Sequence, residues 1–357
     1  MREVIPKILT VSVLSVALFL HGCFCEDGED GISLAIVTVP DQMGDIVAAV
    51  SSLNDGGTVY VRARADCYIV SAPIHISNSN VSLIGEEGAC IKLADNANVP
   101  VIIIGSSLET VPDTDHINNV YVSGFTVDGN KNNQRDATGS DEAEGLPNIK
   151  INAIAVRGAD EVWLDRLILK NARSGGLVIS QQSQNVFVQD TIFSDNFFDG
   201  LAIDGGGQVL VNNFISQDNG FSGVSIDTGS SGVLLQSGLI ERNGDNGIFI
   251  RFTRESQFKD LTITDNCNFG IFASHADPGG LEGLVEIAFS ELDVYRNMSA
   301  GFQYATSEAN GSTGNALTNS RFGGNAGGEI IGGTGLVDSG NVIIPLTENG
   351  PTNRTCF

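Results

Sequence analysis

Between residues 161 and 330, short stretches of alternating apolar and polar residues recur at a nearly fixed interval. The clearest copies are Asn185–Phe197 (NVFVQDTIFSDNF), Gln208–Gly220 (QVLVNNFISQDNG), Gly232–Gly244 (GVLLQSGLIERNG) and Gln257–Cys267 (QFKDLTITDNC). Each leads into a glycine and a shorter apolar run: Gly200-LAID, Gly223-VSID, Gly247-IFIR and Gly270-IFAS. Asparagines close the longer stretches at Asn196, Asn219, Asn243 and Asn266, spacings of 23, 24 and 23; Asn171 opens this series, and Asn297 and Asn325 extend it. Alternation with a period of two marks half-buried strands, and a repeat of this length without helical periodicity predicts a solenoid. The expected fold is therefore all-β, a right-handed single-stranded parallel β-helix whose rungs stack at roughly 4.8 Å. A recurring asparagine can bond backbone groups of neighbouring rungs from inside the corner, so this column is read as structural. The glycines are expected to supply positive backbone angles at the turns.

A solenoid ends in open strand edges that need covering. Asp41–Leu53 (DQMGDIVAAVSSL) carries apolar residues at helical spacing and predicts an amphipathic N-terminal cap helix over about residues 41–53. The polar stretch 128–147 reads as a surface loop inserted between rungs; it lacks the glycine and closing glutamate of an EF-hand. The β-helix domain is expected over 34–345, followed by a tail at 346–357. Ahead of it, Arg2, Lys7 and the apolar run Ile8–Leu20 predict an export signal over 1–25, then an acidic linker at 26–33. Leu20-His21-Gly22-Cys23 resembles a bacterial lipobox, which leaves a lipid anchor at Cys23 and ordinary signal cleavage both open. No other run approaches the length of a membrane span, so the mature chain is expected at the cell surface or outside the cell without a transmembrane helix. Sequons at Asn80, Asn297, Asn310 and Asn353 bear on modification only in a eukaryotic host.

The formal net charge of -24 argues against nucleic acid and against anionic membranes as partners. It also disfavours a polyanionic substrate unless local arginines or bound Ca²⁺ reverse the field. Cys67 and Cys90 lie one repeat apart, within disulfide reach on adjacent rungs of an exported protein. Cys267 and Cys356 are candidates for a second bridge whose pairing the sequence does not fix.

Aligning the rungs on their shorter strand brings Arg157, Ser180, Asp204, Asp227, Arg251 and Ser274 into one column at the strand exit, with His275 just beyond. Asp204 and Asp227 fall on adjacent rungs, so they either split their titration or share a cation such as Ca²⁺. Arg251 favours the charged form of Asp227. A separation near 5 Å also suits a retaining glycosidase. The bland alternative is a solvated turn column in which Arg251 simply pairs with its neighbour. Phe249 and Phe272 occupy successive outward positions of the same strands, where a sugar ring or the insert at 277–284 would cover them. His275 is the one histidine near the strip, as a base or as an ordinary turn residue; His75 and His116 lie too many rungs away. No zinc spacing, nucleophile elbow or phosphate loop is present, and no organic cofactor is implied.

The cap segment leading to Gly57-TVYV, then Val81-SLIGEEGACIKL, Gly124-FTVDGNKNN and the repeated -DN- with its glycine and strand resemble the pectate-lyase-like β-helix superfamily. Within it the likeness is to the catalytic module of secreted mannuronan (alginate) C5-epimerases. It extends over roughly three quarters of the chain. The resemblance implies an extracellular polysaccharide as ligand, and epimerisation or β-elimination through removal of the C5 proton. Arg157 or Arg251 would neutralise the sugar carboxylate, Ser180 would line the site, and His275 or a nearby tyrosine would act as base. The family signature Tyr-Gly-Phe-Asp-Pro-His is replaced here by Gly175-Gly176-Leu177-Val178-Ile179-Ser180, while Asp204 matches a retained carboxylate. Two other readings stay open: a non-catalytic polysaccharide-binding or structural surface protein, and a glycoside hydrolase using Asp204 with Asp227. Nothing in the sequence sets the oligomeric state.

Overall fold

One circuit of the chain shows the rule that the others follow. Leu201–Asp204 lies in one sheet, the chain turns at Gly205, and Gly207–Gln217 runs through a second sheet before cornering at Asp218 and Asn219. It returns as Val224–Asp227 directly beside its starting strand, with Leu201 opposite Val224 and Asp204 opposite Asp227. In this computed structural model, which describes residues 35–135, 142–275, 283–344 except 308 and 310, and Cys356, every strand pair is parallel. The longer runs build a 17-stranded sheet and the short ones a ten-stranded sheet. The export signal, linker and lipobox expected before residue 35, and the tail apart from Cys356, lie outside the described residues.

Each longer run bends where one residue takes the left-handed conformation: Arg166, Asp190, Asn213, Ser237 or Asp260 on successive rungs. A second left-handed column, Asp195, Asp218, Arg242, Asp265 and Arg296, precedes the recurring asparagine corner of each circuit. Asn and Asp tolerate this region better than most residues. The two arginines in the second column are held by acids of the rung before: Asp218 bonds Arg242 at 2.8 Å and Asp265 bonds Arg296 at 2.6 Å.

The asparagine column forms a buried ladder. The side-chain NH₂ of Asn196, Asn219, Asn243, Asn266 and Asn297 donates to the Oδ1 of the next asparagine at 2.9–3.0 Å, ending on Asn325. Each Oδ1 also accepts the backbone N–H of the asparagine below it, so the side chains satisfy the corners from within. Asn171 does not open this ladder: Ala172 takes the corresponding place and donates its N–H to Asn196 Oδ1, while Asn171 occupies the left-handed seat beside it. Asn297 is fully buried in the ladder, which removes the acceptor side chain of its sequon from solvent.

The repeating glycines prove necessary for a different reason from the one expected. Gly200, Gly223 and their equivalents have ordinary backbone angles. A Cβ on Gly200 would sit 2.2 Å from Ser216 Oγ and 2.8 Å from Asn219 Nδ2, so the ladder itself excludes a side chain there.

Inside the coil, Val, Ile, Leu and Phe residues stack in one continuous core; Phe258 and Phe289 lie with ring centroids 4.9 Å apart on neighbouring rungs. The helix expected over about 41–53 is confined to Ile46–Ser51, one and a half turns capped by the Asp45 carboxylate on Val47 N–H. It buries Ile46, Ala49 and Val50 and packs against Ile74–Ile76, the first strand of the ten-stranded sheet. The loop expected over 128–147 is also less free than its composition suggested. Asn130 is buried and donates to Leu93 O and Asp95 Oδ1, and Gln134 bridges Ala94 O and Asn98 N–H. Residues 136–141 of that insert lie outside the described residues. Cys67 is bonded to Cys90 and Cys267 to Cys356, with Cα–Cα distances of 4.5 and 5.7 Å. No described helix is long and apolar enough to cross a membrane.

Candidate functional site

The outer face of the ten-stranded sheet carries the column expected from the sequence. Ser180 lies between Arg157 and Asp204, Asp204 opposite Asp227, and Arg251 opposite Ser274. Apolar residues of these strands alternate inward, leaving Val178, Ala202, Ser225, Phe249 and Phe272 as the partly exposed floor beside that column.

The side chains of the column do not share one environment. Arg157 is buried and turned away from the strip, donating to the backbone carbonyls of Ser106, Leu108, Glu109 and Asn148. Burial lowers its pKa, and its work is to pin the two loops that wall one end of the face. Leu146 and Ile149 from those loops cover the outward Ile103 and Ala155, so the open floor begins at Val178. Gln181 strengthens the wall, accepting from Val111 N–H and donating to Glu109 O. Ser180 is also largely buried.

Asp227 is fully engaged. Arg251 Nε reaches its two oxygens at 3.1 and 2.9 Å, a second guanidinium nitrogen joins it, and Thr228 N–H donates at 2.7 Å. Asp204 is exposed, and its carboxylate makes no hydrogen bond or ion pair among the described residues. The pair therefore fits Ca²⁺ poorly, since that ion takes six to eight oxygen ligands and one carboxylate is already occupied by a cation. No group of three or more His, Cys, Asp or Glu side chains converges among the described residues.

Phe249 and Phe272 stack on each other with centroids 6.0 Å apart, Phe269 stacks on Phe272 at 5.1 Å, and the Arg251 guanidinium lies 5.6 Å from the Phe249 ring. Rings stacked along the coil turn their faces toward one another, which leaves less of each face for a sugar ring than an isolated phenylalanine would offer. His275 directs Nδ1 at Ala305 O, 3.3 Å away, and no tyrosine is exposed on this face among the described residues. Most of the 277–284 insert lies outside the described residues.

A second column, missed in the sequence, borders the floor on the strand-entry side: Gly175, Asp199, Ser222, Asn246 and Phe269, each just before the repeating glycine. Its position follows from the Phe269–Phe272 contact and from Gly175, where a Cβ would lie 3.3 Å from Val178 Cγ2. Asp199 Oδ1 accepts Ser222 N–H at 2.9 Å. Burial pushes the Asp199 carboxyl up to about 7 against the pull of that bond, and the charge of Asp245 adds to the rise. Asn246 donates to Asp245 Oδ2 at 2.8 Å, but its own Oδ1 is buried without a partner among the described residues. Asn268 holds the other Asp245 oxygen at 2.8 Å. The sequence signal for this column is the residue before each repeating glycine, a position that the strand exits do not mark.

No curated protein sequence matches the chain. Among solved structures, the N-terminal fragment of bacteriophage Phi29 gene product 12 aligns at TM-score 0.59 and 16% identity, over 84% of this chain and 50% of that one. PfbA, a surface adhesin of Streptococcus pneumoniae, aligns at TM-score 0.52 and 12% identity, over 90% and 96%. The chain spans 62%, 61% and 50% of three viral proteins it aligns with. The A-module of the mannuronan C-5 epimerase AlgE6 of Azotobacter vinelandii aligns at TM-score 0.41 and 15% identity, over 85% and 94%, too weakly to bear on chemistry. These likenesses speak to fold alone. Residues 175–344 match the family described as right handed beta helix region, and the chain folds as a right-handed parallel β-helix.

Proposed function

We propose that the outer face of the ten-stranded sheet binds an extended extracellular polysaccharide and does not carry out C5 chemistry on it. The observation that carries this reading is the form of the face. A floor of Val178, Ala202 and Ser225 is closed at one end by the Arg157-pinned wall and bordered on both margins by polar columns. Small floor residues let a chain of sugars approach the sheet, and the margins offer donors and acceptors for its hydroxyls. Two disulfides accord with an oxidising compartment.

Epimerisation or elimination of a uronan, as the family likeness implied, needs a cation to neutralise the sugar carboxylate and a base beside it. Arg157 is committed to the wall, Arg251 to Asp227, and His275 points along the sheet edge. Hydrolysis by Asp204 and Asp227 is disfavoured by the four hydrogen bonds that hold the Asp227 carboxylate. A panel of polysaccharides tested for binding, reducing ends, unsaturated products and C5 inversion separates these readings. Binding without any product is expected, and Ala202→Trp, which fills the floor from outside the core, should abolish it. Product formation by the parent, or unchanged binding by a folded Ala202→Trp variant, would overturn the proposal.

A further inference from the structure

We infer that the C-terminal rung of the coil, residues 326–344, is the docking surface for the same rung of a second copy of this chain. This surface is the end of the coil, distinct from the side that carries the proposed glycan site.

The two ends of the solenoid are finished differently. At the N-terminal end, the helix Ile46–Ser51 buries Ile46, Ala49 and Val50 over the core and turns Ala48 and Ser51 to solvent. At the other end no described residue covers the core. Ile330, Leu336 and Ile343 lie opposite the buried Phe302, Asn315 and Phe322, and no further rung packs on them among the described residues. Ile343 continues the inward line of Val294 and Phe322 yet is 52% exposed, and the outward Ile331, Val337 and Val342 are 41–61% exposed. The backbone is open there too. Val342 and Ile344 donate to Ser320 O and Phe322 O, so the alternate N–H and C=O, those of Ile343, face away from the coil. An exposed edge of this kind is a template for another strand.

Residues 345–355 (PLTENGPTNRT) are a poor cover for it. They carry one large apolar side chain, Leu346, and two prolines with no N–H to give, and Cys356 is bonded to Cys267, on a rung well before the end. The N-terminal end of another copy fits no better, because the apolar side of its helix is already buried and its outer side is polar. The same end of a second copy supplies both missing parts, apolar side chains and unpaired strand groups. The only charged side chains of the rung are Glu329 and Asp338, in a chain of formal net charge -24, so little charge is brought together. A twofold axis across the coil sets each terminal strand against one running the other way, which makes the contact isologous and closes it at two copies. The rung approaches the roughly 20–30 residues per side of a standard interface, with on the order of 1,000 Å² buried in all.

Sedimentation equilibrium of the full chain, with its disulfides intact, tests the inference. A monomer–dimer equilibrium with a Kd of about 1–100 µM is expected, and small-angle scattering should show a dimer nearly twice as long as the monomer. Val337→Asp with Val342→Asp, and separately Ile331→Asp, put acids at exposed positions of the rung and should each weaken association at least about tenfold. Ile69→Asp, on the exposed side of strand Tyr68–Val70 near the other end, should leave the Kd unchanged. Circular dichroism checks each fold, and if one terminal-rung variant fails to fold, the other carries the comparison. A chain that stays monomeric to about 100 µM, a side-by-side dimer, or a dimer that a folded terminal-rung variant does not weaken would overturn the inference. Weakening by Ile36→Asp on the first strand, or growth beyond two copies, would overturn it as well, since both mark head-to-tail stacking. None of these results bears on the glycan-binding face, whose own panel tests it.

Discussion

Asn243 lies mid-ladder, and its removal measures what the column contributes. Its Oδ1 accepts the backbone N–H of Asn219 at 3.2 Å and the Asn219 side chain at 3.0 Å, while its NH₂ donates to Ser216 O at 3.1 Å and Asn266 Oδ1 at 3.0 Å. In Asn243→Ala, Asn219 Nδ2 keeps Phe193 O and Ser216 Oγ, and Asn266 Oδ1 keeps the Asn243 N–H. One buried backbone group loses its partner, Asn219 N–H, while Ser216 C=O stays in the parallel ladder opposite Ile240. At about 1–3 kcal/mol for an unsatisfied buried group, the expected loss is about 1–3 kcal/mol, a sizeable share of the stability of most domains. Asn243→Asp should do no better at neutral pH, because it sets a second acceptor against Ser216 O and Asn266 Oδ1. Gln189→Ala, on the exposed outer surface, should stay within about 0.5 kcal/mol of the parent. Urea unfolding followed by circular dichroism gives the totals. Hydrogen exchange at the Asn219 amide shows whether the loss begins at that rung, since a solenoid can open locally. An Asn243→Ala variant within about 0.5 kcal/mol of the parent would show that water replaces the ladder at little cost, and the structural reading of the column would fail.

Gly223→Ala places a Cβ 2.4 Å from Ile240 Cγ2 and 2.7 Å from Asn243 Nδ2, and should lower stability by about 1–3 kcal/mol; Gly44→Ala, with nothing within 4 Å, should leave the melting curve in place. Replacing Cys67 and Cys90 with serine opens a bridge between positions 23 residues apart and should cost about 3 kcal/mol in urea unfolding, so an unchanged midpoint would refute that contribution. Arg157→Ala frees four carbonyls and should expose the loops near Leu108 and Asn148 to limited proteolysis; a cleavage pattern like the parent's would count against the wall. Asp199 binds its proton more tightly folded than unfolded, so the stability it contributes is full below about pH 4 and lost as pH climbs to about 7. Its slope is at most about 1.4 kcal/mol per unit, and Asp199→Asn should remove that component of the pH–stability curve.

The period, the parallel register and the exit column were legible in the sequence because a solenoid turns sequence spacing directly into spatial adjacency. Once the repeat is known, Asp204 must lie beside Asp227, and Cys67 beside Cys90. The fate of Arg157 was not legible, because its partners at Ser106, Leu108, Glu109 and Asn148 belong to segments outside the repeat, where spacing gives no neighbours. Glycine in a repeat predicts backbone freedom, whereas Gly200 is required by the approach of the Asn219 side chain from the next rung. Asp199 escaped because its raised pKa arises from burial at a corner between rungs, and no single strand's pattern reports that. The helix is shorter than its pattern predicts because residues 41–45 share its composition, while the turn after Val39 and the Asp45 cap fix its start at Ile46.

Comparison among rungs of this one chain also separates architecture from chemistry. Positions 196, 219, 243, 266, 297 and 325 are all asparagine, and the glycines at 176, 200, 223, 247, 270 and 301 recur as strictly. These are the positions where each rung must fit the next, so the same physical demand selects the same residue every time. The two columns beside the floor obey no such demand. One runs Ser180, Asp204, Asp227, Arg251, Ser274 and the other Gly175, Asp199, Ser222, Asn246, Phe269. Both border one face, and their changes make that face small and acceptor-rich near Ala202 and aromatic near Phe272. A turn column selected only for solubility would have no reason to half-bury Asp199 or to leave the Asn246 oxygen without a donor among the described residues, since both choices cost stability. That cost falls on the margin of the face whose end is walled by the buried Arg157, which is why the proposed glycan is assigned to it and not to the larger sheet.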